Sequence, residues 1–212
     1  MKRLITLCFL LCTLAVQAQD IKSLFIALPD SLSPLLSKVN REDFGDFLSN
    51  NMKAEVKNRF GRTSEMLKMT DDYLQLKVSS VSSAEMKLFP VNDSTKVICV
   101  VRTYRGPVAD SKVTFYSTDW KELPLSDYLQ YPEKDAFYTT PTTLVKRDSL
   151  QNLKKKADLY LLKIRLSEDK PEMYFTYTTP DFLDEETSKE LHPYLRKEPL
   201  CYHWKEGRFI LQ

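Results

Sequence analysis

The sequence predicts an α+β protein: antiparallel β meanders, which resemble two duplicated units, with an N-terminal helical layer and a short helix inserted in the second unit. Three observations carry this prediction. Apolar residues recur at helical steps between residues 42 and 59, they alternate with polar ones from residue 72 and again from residue 160, and turn-forming residues separate the alternating runs.

The chain opens with a targeting signal. Lys2 and Arg3 precede an apolar run from Leu4 to Val16, and Val16-Gln17-Ala18 has the small-residue pattern of a cleavage site between Ala18 and Gln19. That run is shorter than the roughly 20 residues a spanning helix needs. Leu7 and Leu11 stand before Cys8 and Cys12, where lipid attachment would want a small residue. The expectation is a periplasmic or secreted protein with no membrane span. Loss of residues 1–18 leaves 194 of 212 residues and lowers the Lys and Arg count from 31 to 29, against 29 Asp and Glu. A formally neutral chain gives no reason to expect a nucleic-acid partner. The length suits one compact body, and 42% hydrophobic with 28% charged residues is an ordinary globular balance.

Residues 19–62 read as the helical segment. Ser33 before Pro34 has the form of an N-cap with Pro at the first helical position. Phe44, Phe47, Leu48, Met52, Val56 and Phe60 then mark one face of an amphipathic helix over 42–59, with Gly61 as its C-cap. Gly45 weakens the first turn of that helix by up to about 1 kcal/mol relative to Ala.

Residues 63–125 form the first meander unit. Leu74, Leu76 and Val78 alternate with Tyr73, Gln75 and Lys77, and further strands follow at Met86–Phe89, Lys96–Thr103 and Lys112–Ser117. Residues 121–156 carry Pro124, Pro132 and Pro141 and little periodicity, so 126–156 read as a connection with short local structure. The basic run Lys154-Lys155-Lys156 is expected to be a solvated helix end or turn.

The second unit, residues 157–212, has Tyr160, Leu162, Ile164 and Leu166 on one face of a strand, then Met173–Thr178, a short helix at 181–191, and a terminal hairpin from Leu200–Trp204 to Phe209–Leu211. Phe115-Tyr116 to Trp120-Lys121 resembles Cys201-Tyr202-His203-Trp204-Lys205, which suggests a duplication with the helix as an insertion.

Pro29-Asp30-Ser31-Leu32, Asn40-Arg41 with Asp43 and Asp46-Phe47, the run Val97 to Thr103, and Phe115 to Trp120 together resemble a family of exported Bacteroidales proteins classed as a domain of unknown function. The resemblance spans most of the chain after the signal. Members usually carry an apolar residue where this chain has Gly45. The resemblance implies an exported protein of a Gram-negative envelope and supplies no catalytic residues.

The chemistry is defined mainly by exclusion. The chain has four glycines, Gly45, Gly61, Gly106 and Gly207, too scattered for the backbone cradles of nucleotide sites. It has no GxSxG elbow and no HExxH zinc helix. His192 and His203 are its two histidines. Cys201 and His203, two apart on a strand, share a face, which is the geometry of a Cys–His nucleophile pair; the plainer expectation is a buried Cys with a His at the rim. Cys99, Cys201, His192 and His203 match no zinc knuckle spacing, so no metal and no cofactor are expected. Cys99 and Cys201 lie in apolar runs and are expected as buried thiols rather than a disulfide. Asp181, Asp184, Glu185 and Glu186 read as acids favoured at a helix N-terminus rather than calcium ligands. Tyr104, Tyr116, Trp120, Tyr174, Tyr177, Tyr202 and Trp204 lie on or near strands and would form a binding platform on an exposed face. The functional expectation is a binding or interaction module of the cell envelope without catalytic activity, its partner an envelope protein, peptide or glycan. The alternative is a hydrolase using carboxylates or the Cys201–His203 pair.

Overall fold

The computed structural model describes residues 20–50, 52–141 and 143–212. The signal segment and its cleavage site lie outside the described residues. Among the described residues, no helix is long and apolar enough to cross a membrane.

Two short helices lead. Helix α1 (Ile21–Ile26) is capped by Asp20, whose carboxylate accepts from the Ser23 amide at 2.7 Å. Helix α2 (Lys38–Ser49) begins at Ser37 in a reciprocal capping box with Asn40. The cap is therefore Ser37 rather than Ser33. Residues 28–36 form a chain of turns between the helices. They are held by Arg41, which is buried and donates to the carbonyls of Leu28 at 2.7 Å and Leu36 at 2.8 Å and to Asp30 at 3.1 Å.

Helix α2 stops at Ser49 instead of running to residue 59. Asn50 closes it, and Lys53 to Lys57 alternates with Ala54 and Val56 buried, so β1 (Glu55–Lys57) joins a sheet. Gly61 accordingly serves a β turn, at φ +70°, where an L side chain would be strained. The remaining strands are β2 (Thr63–Met69), β3 (Tyr73–Lys77), β4 (Ser82–Pro90), β5 (Lys96–Arg105), β6 (Ala109–Ser117) and β7 (Glu122–Leu123). β1 to β7 form one seven-stranded antiparallel meander in chain order. Strand β2 does not stand out in the sequence because its register shifts between Met66 and Lys68, and that bulge breaks the period of two.

After β7 come α3 (Leu125–Tyr128), a 3₁₀ turn at Lys134–Phe137 and α4 (Leu144–Lys156). The connection thus contains a regular helix of 13 residues, capped by Thr143. Its apolar signal is weak because it buries Leu150 and Leu153 while Leu144 and Val145 face solvent. Lys154, Lys155 and Lys156 occupy its last turn, where cations complement the helix dipole.

Strands β8 (Leu162–Leu166), β9 (Glu172–Tyr177), β10 (Leu200–Lys205) and β11 (Arg208–Leu211) make a second antiparallel meander. Helix α5 (Glu185–Leu191), flanked by 3₁₀ turns, is inserted between β9 and β10. Asp184 is its N-cap, accepting from the Thr187 amide at 2.9 Å. That bond holds the Asp184 carboxyl below its ordinary range, and Glu185 and Glu186 follow in the first turn.

The seven-stranded sheet is the middle layer. Ile98 and Val100 of β5 pack under the helices with Phe25, Leu36 and Phe44, while Val97, Cys99 and Val101 pack against Ile164, Met173 and Phe175 of the small sheet. The near-continuous apolar run Val97–Val101 follows from burial on both faces. The two sheets are also bolted along the free edge of β8. Its amides at Leu162, Ile164 and Leu166 donate across the layer to Asp110 Oδ1 at 3.1 Å, Ser111 Oγ at 3.0 Å and Glu85 Oε2 at 2.7 Å. Lys87, buried on β4, donates to the carbonyls of Ser167, Glu168 and Lys170 in the β8–β9 turn.

The two tryptophans that suggested a repeat are placed differently. Trp120 sits in the β6–β7 turn at φ 60° and donates to the Leu24 carbonyl on the helical side. Trp204 lies within β10, between the sheets, and donates to the Pro90 carbonyl.

Candidate functional site

A cavity and a cluster of polar side chains lie on opposite sides of the seven-stranded sheet. The cavity, of about 130 Å³, is between the 28–36 turns and the sheet. Phe25, Leu28, Leu36, Leu76 and Met86 make its walls, and Ser82, Arg102 and Tyr104 are at hand for polar contact. Position dictates its chemistry: alternate residues of β3 and β4 face the helical layer and are apolar, and the turns arch over them without filling the space. Arg41 fixes the arch from one end and Arg102 from another, by donating to the Leu32 carbonyl at 3.3 Å. Sequence reading missed this cavity because its lining comes from four separated segments and has no local signature.

The cluster is on the solvent side of the small sheet. On β10, Tyr202 and Trp204 point inward, so Cys201 and His203 point outward together, as two-residue spacing requires. Their contact is 3.6 Å from Sγ to Nε2. Register adds what sequence could not: His203 is directly opposite Glu172 of β9, and Cys201 is opposite Tyr174. Glu172 Oε1 lies 3.5 Å from His203 Nδ1. The Tyr174 hydroxyl donates to the other Glu172 oxygen, and Gln212 Oε1 contacts His203 Nε2.

The order thiol, imidazole, carboxylate is that of a nucleophile with its base and orienting group. The electrostatics oppose that use. Burial, reinforced by the Glu172 charge, pushes the Cys201 thiol up, whereas an activated cysteine needs its thiolate favoured. The hydrogen bond to Glu172 likewise pushes the Tyr174 phenol up to about 12. The carboxylate dominates this corner.

The other candidates are not brought together. Cys99 is fully buried in the inter-sheet core, where burial pushes its thiol well up. His192 faces Asp181 at 3.8 Å beside α5. Both cysteines are unpaired among the described residues, and Cys201 is half-buried rather than buried. The aromatic platform is not assembled either. Tyr116 and Trp120 are buried on the helical side, and Tyr177, Tyr202 and Trp204 are buried between the sheets, where their rings serve the core. Tyr104 at the cavity and Tyr174 on the outer face remain open, on opposite sides of the middle layer.

A similar solved structure is that of a domain of an uncharacterised protein from Porphyromonas gingivalis W83. It is 29% identical, matches 92% of this chain and 100% of its own, and superposes with a TM-score of 0.80. The comparison with curated proteins finds no match. The three-layer arrangement is therefore shared with a Bacteroidales relative. With a family profile matching residues 13–209, the chain belongs to the family described as Protein of unknown function (DUF3256).

Proposed function

We propose that the protein is an exported, non-catalytic binding module, working in the periplasm or outside the cell after cleavage between Ala18 and Gln19. Its partner is a peptide or protein segment that inserts an apolar side chain into the cavity beside Tyr104. The cavity carries this reading. Its volume of about 130 Å³ suits one large side chain rather than a sugar ring or a drug-sized ligand. Its apolar walls give a glycan few hydrogen-bond partners, while Ser82, Arg102 and Tyr104 are placed to meet the polar backbone of a peptide. The raised thiol of Cys201 weighs against the hydrolase alternative.

A photo-crosslinking residue at position 104 tests the proposal in exporting cells, with position 163 on the opposite side of the molecule as control. Capture of a discrete partner at 104, abolished by filling the cavity with Ala84→Phe while the thermal midpoint holds, is the expected result. Capture that survives Ala84→Phe places the partner elsewhere. Hydrolase turnover abolished by Cys201→Ala in a folded protein overturns the non-catalytic reading.

A further inference from the structure

We infer that Glu172, Cys201 and His203 form a binding site for a borderline transition-metal ion, zinc(II), on the outer face of the four-stranded sheet. The inference stands apart from the cavity, which lies on the far side of the middle sheet.

One donor atom from each of the three residues lies within 4.8 Å of the other two. A thiolate and an imidazole on one tetrahedral zinc ion stand about 3.5 Å apart, given bond lengths of about 2.3 and 2.0 Å. Cys201 Sγ and His203 Nε2 are 3.6 Å apart. Glu172 Oε1 rests 3.5 Å from the other ring nitrogen, Nδ1, and rotation of the Glu172 or His203 side chain brings the carboxylate and one imidazole nitrogen onto an ion held by the thiolate. The donors come from two hydrogen-bonded strands whose register pairs Glu172 with His203, so the backbone fixes the spacing.

The donor set decides the ion. Sulfur, nitrogen and a single carboxylate suit zinc, whereas calcium and magnesium want several oxygens. The surroundings have the form of an outer shell. Tyr174 donates to the Glu172 oxygen away from the histidine, and such partners orient a ligating carboxylate. Glu172 is 8% exposed, an enclosed position for an acid on an outward face, and Lys170 at 3.9 Å is the cation beside it. Three protein ligands leave a fourth position for water or for the Gln212 side-chain oxygen, which contacts His203. A site with three protein ligands is open in the sense of catalytic zinc sites, although a fourth ligand from Gln212 would close it.

The sequence pattern did not reveal this set. Cys201 and His203 are visible as a pair, but Glu172 lies 29 positions before Cys201 and joins them through strand pairing alone.

The test uses the purified full chain titrated with cobalt(II) and with zinc(II). Expected are one ion per chain, a rise in the thermal midpoint on adding zinc, and the near-ultraviolet absorption of a single cobalt–thiolate bond. That absorption should vanish in Cys201→Ser, persist in Cys99→Ser, and require at least tenfold more metal in His203→Ala and Glu172→Gln. Each variant must keep the unliganded thermal midpoint; if Cys201→Ser does not, Cys201→Ala takes its place. No cobalt–thiolate absorption at stoichiometric metal, or absorption indifferent to Cys201→Ser, overturns the inference.

Discussion

Lys87 is a cation in an apolar layer, and its environment explains why it is tolerated. The side chain is 5% exposed, and its ammonium group spends its three donors on the carbonyls of Ser167, Glu168 and Lys170, with Asp72 at 3.7 Å. Lys87→Met keeps the volume and removes the donors, leaving those carbonyls without their partner. A loss of about 3 kcal/mol is expected in chemical denaturation. Glu85, its neighbour on the same face, presents the opposite case. Burial pushes the Glu85 carboxyl above its ordinary value, even though it accepts from the Leu166 amide. A carboxyl raised in the folded state binds its proton more tightly there than in the unfolded chain. Its contribution to stability is full below the unfolded value and is lost as pH rises through the folded one. Glu85→Gln keeps an acceptor for Leu166 and removes the charge. The variant should melt above wild type at neutral pH, and the gap should close on acidification; a gap that persists in acid contradicts the assignment. At this scale the sequence is readable only where geometry is local. Cys201 and His203 share a face because two residues separate them, whereas Glu172 and the partners of Lys87 depend on pairings that no short window contains.

At the scale of elements, the interior of α2 holds a testable conflict between propensity and packing; with the helix starting at Lys38, Gly45 falls past its middle rather than in its first turn. Gly45 is buried where α1 crosses α2, and a Cβ there would meet the Cε of Lys22 at 2.3 Å. That atom is the far end of a flexible chain, so it can swing aside. Gly45→Ala should therefore recover much of the helix-propensity difference and stabilise the protein by up to about 1 kcal/mol, read from the denaturation midpoint. A loss instead would mean that the Lys22 arm is fixed. The elements that sequence reading located, from β3 to β6 and from β8 to β11, share an alternating pattern or, in β5, a continuous apolar run, bounded by punctuating turns. The ones it missed share a physical reason. A helix that exposes Leu144 and Val145 has no apolar stripe, a bulge in β2 breaks its alternation, and β1 is three residues long with its apolar Val56 in step with the preceding helix. In each case tertiary packing decides what local pattern does not.

For the whole molecule, a sheet buried on both faces divides the two candidate sites, so that a change at one need not disturb the other. The free edge of β8 shows how the outer sheet is joined to the middle one. Its three amides find their acceptors 52, 53 and 81 residues earlier in the chain, on β6 and β4. Those acceptors are in place only once the central strands have paired, which gives assembly a direction. Strands β1 to β7 precede Leu162 in the chain, and a chain that emerges N-terminus first can complete the meander that later receives the small sheet. Docking then belongs to the late, downhill side of the folding barrier. Ser111→Ala, which removes the central acceptor, should accelerate unfolding and leave the refolding rate nearly unchanged, as the two arms of a chevron plot would record. A slowed refolding arm would mean that the two sheets nucleate together, and the last 50 or so residues would then be a founding part of the fold rather than a panel fastened onto a finished frame.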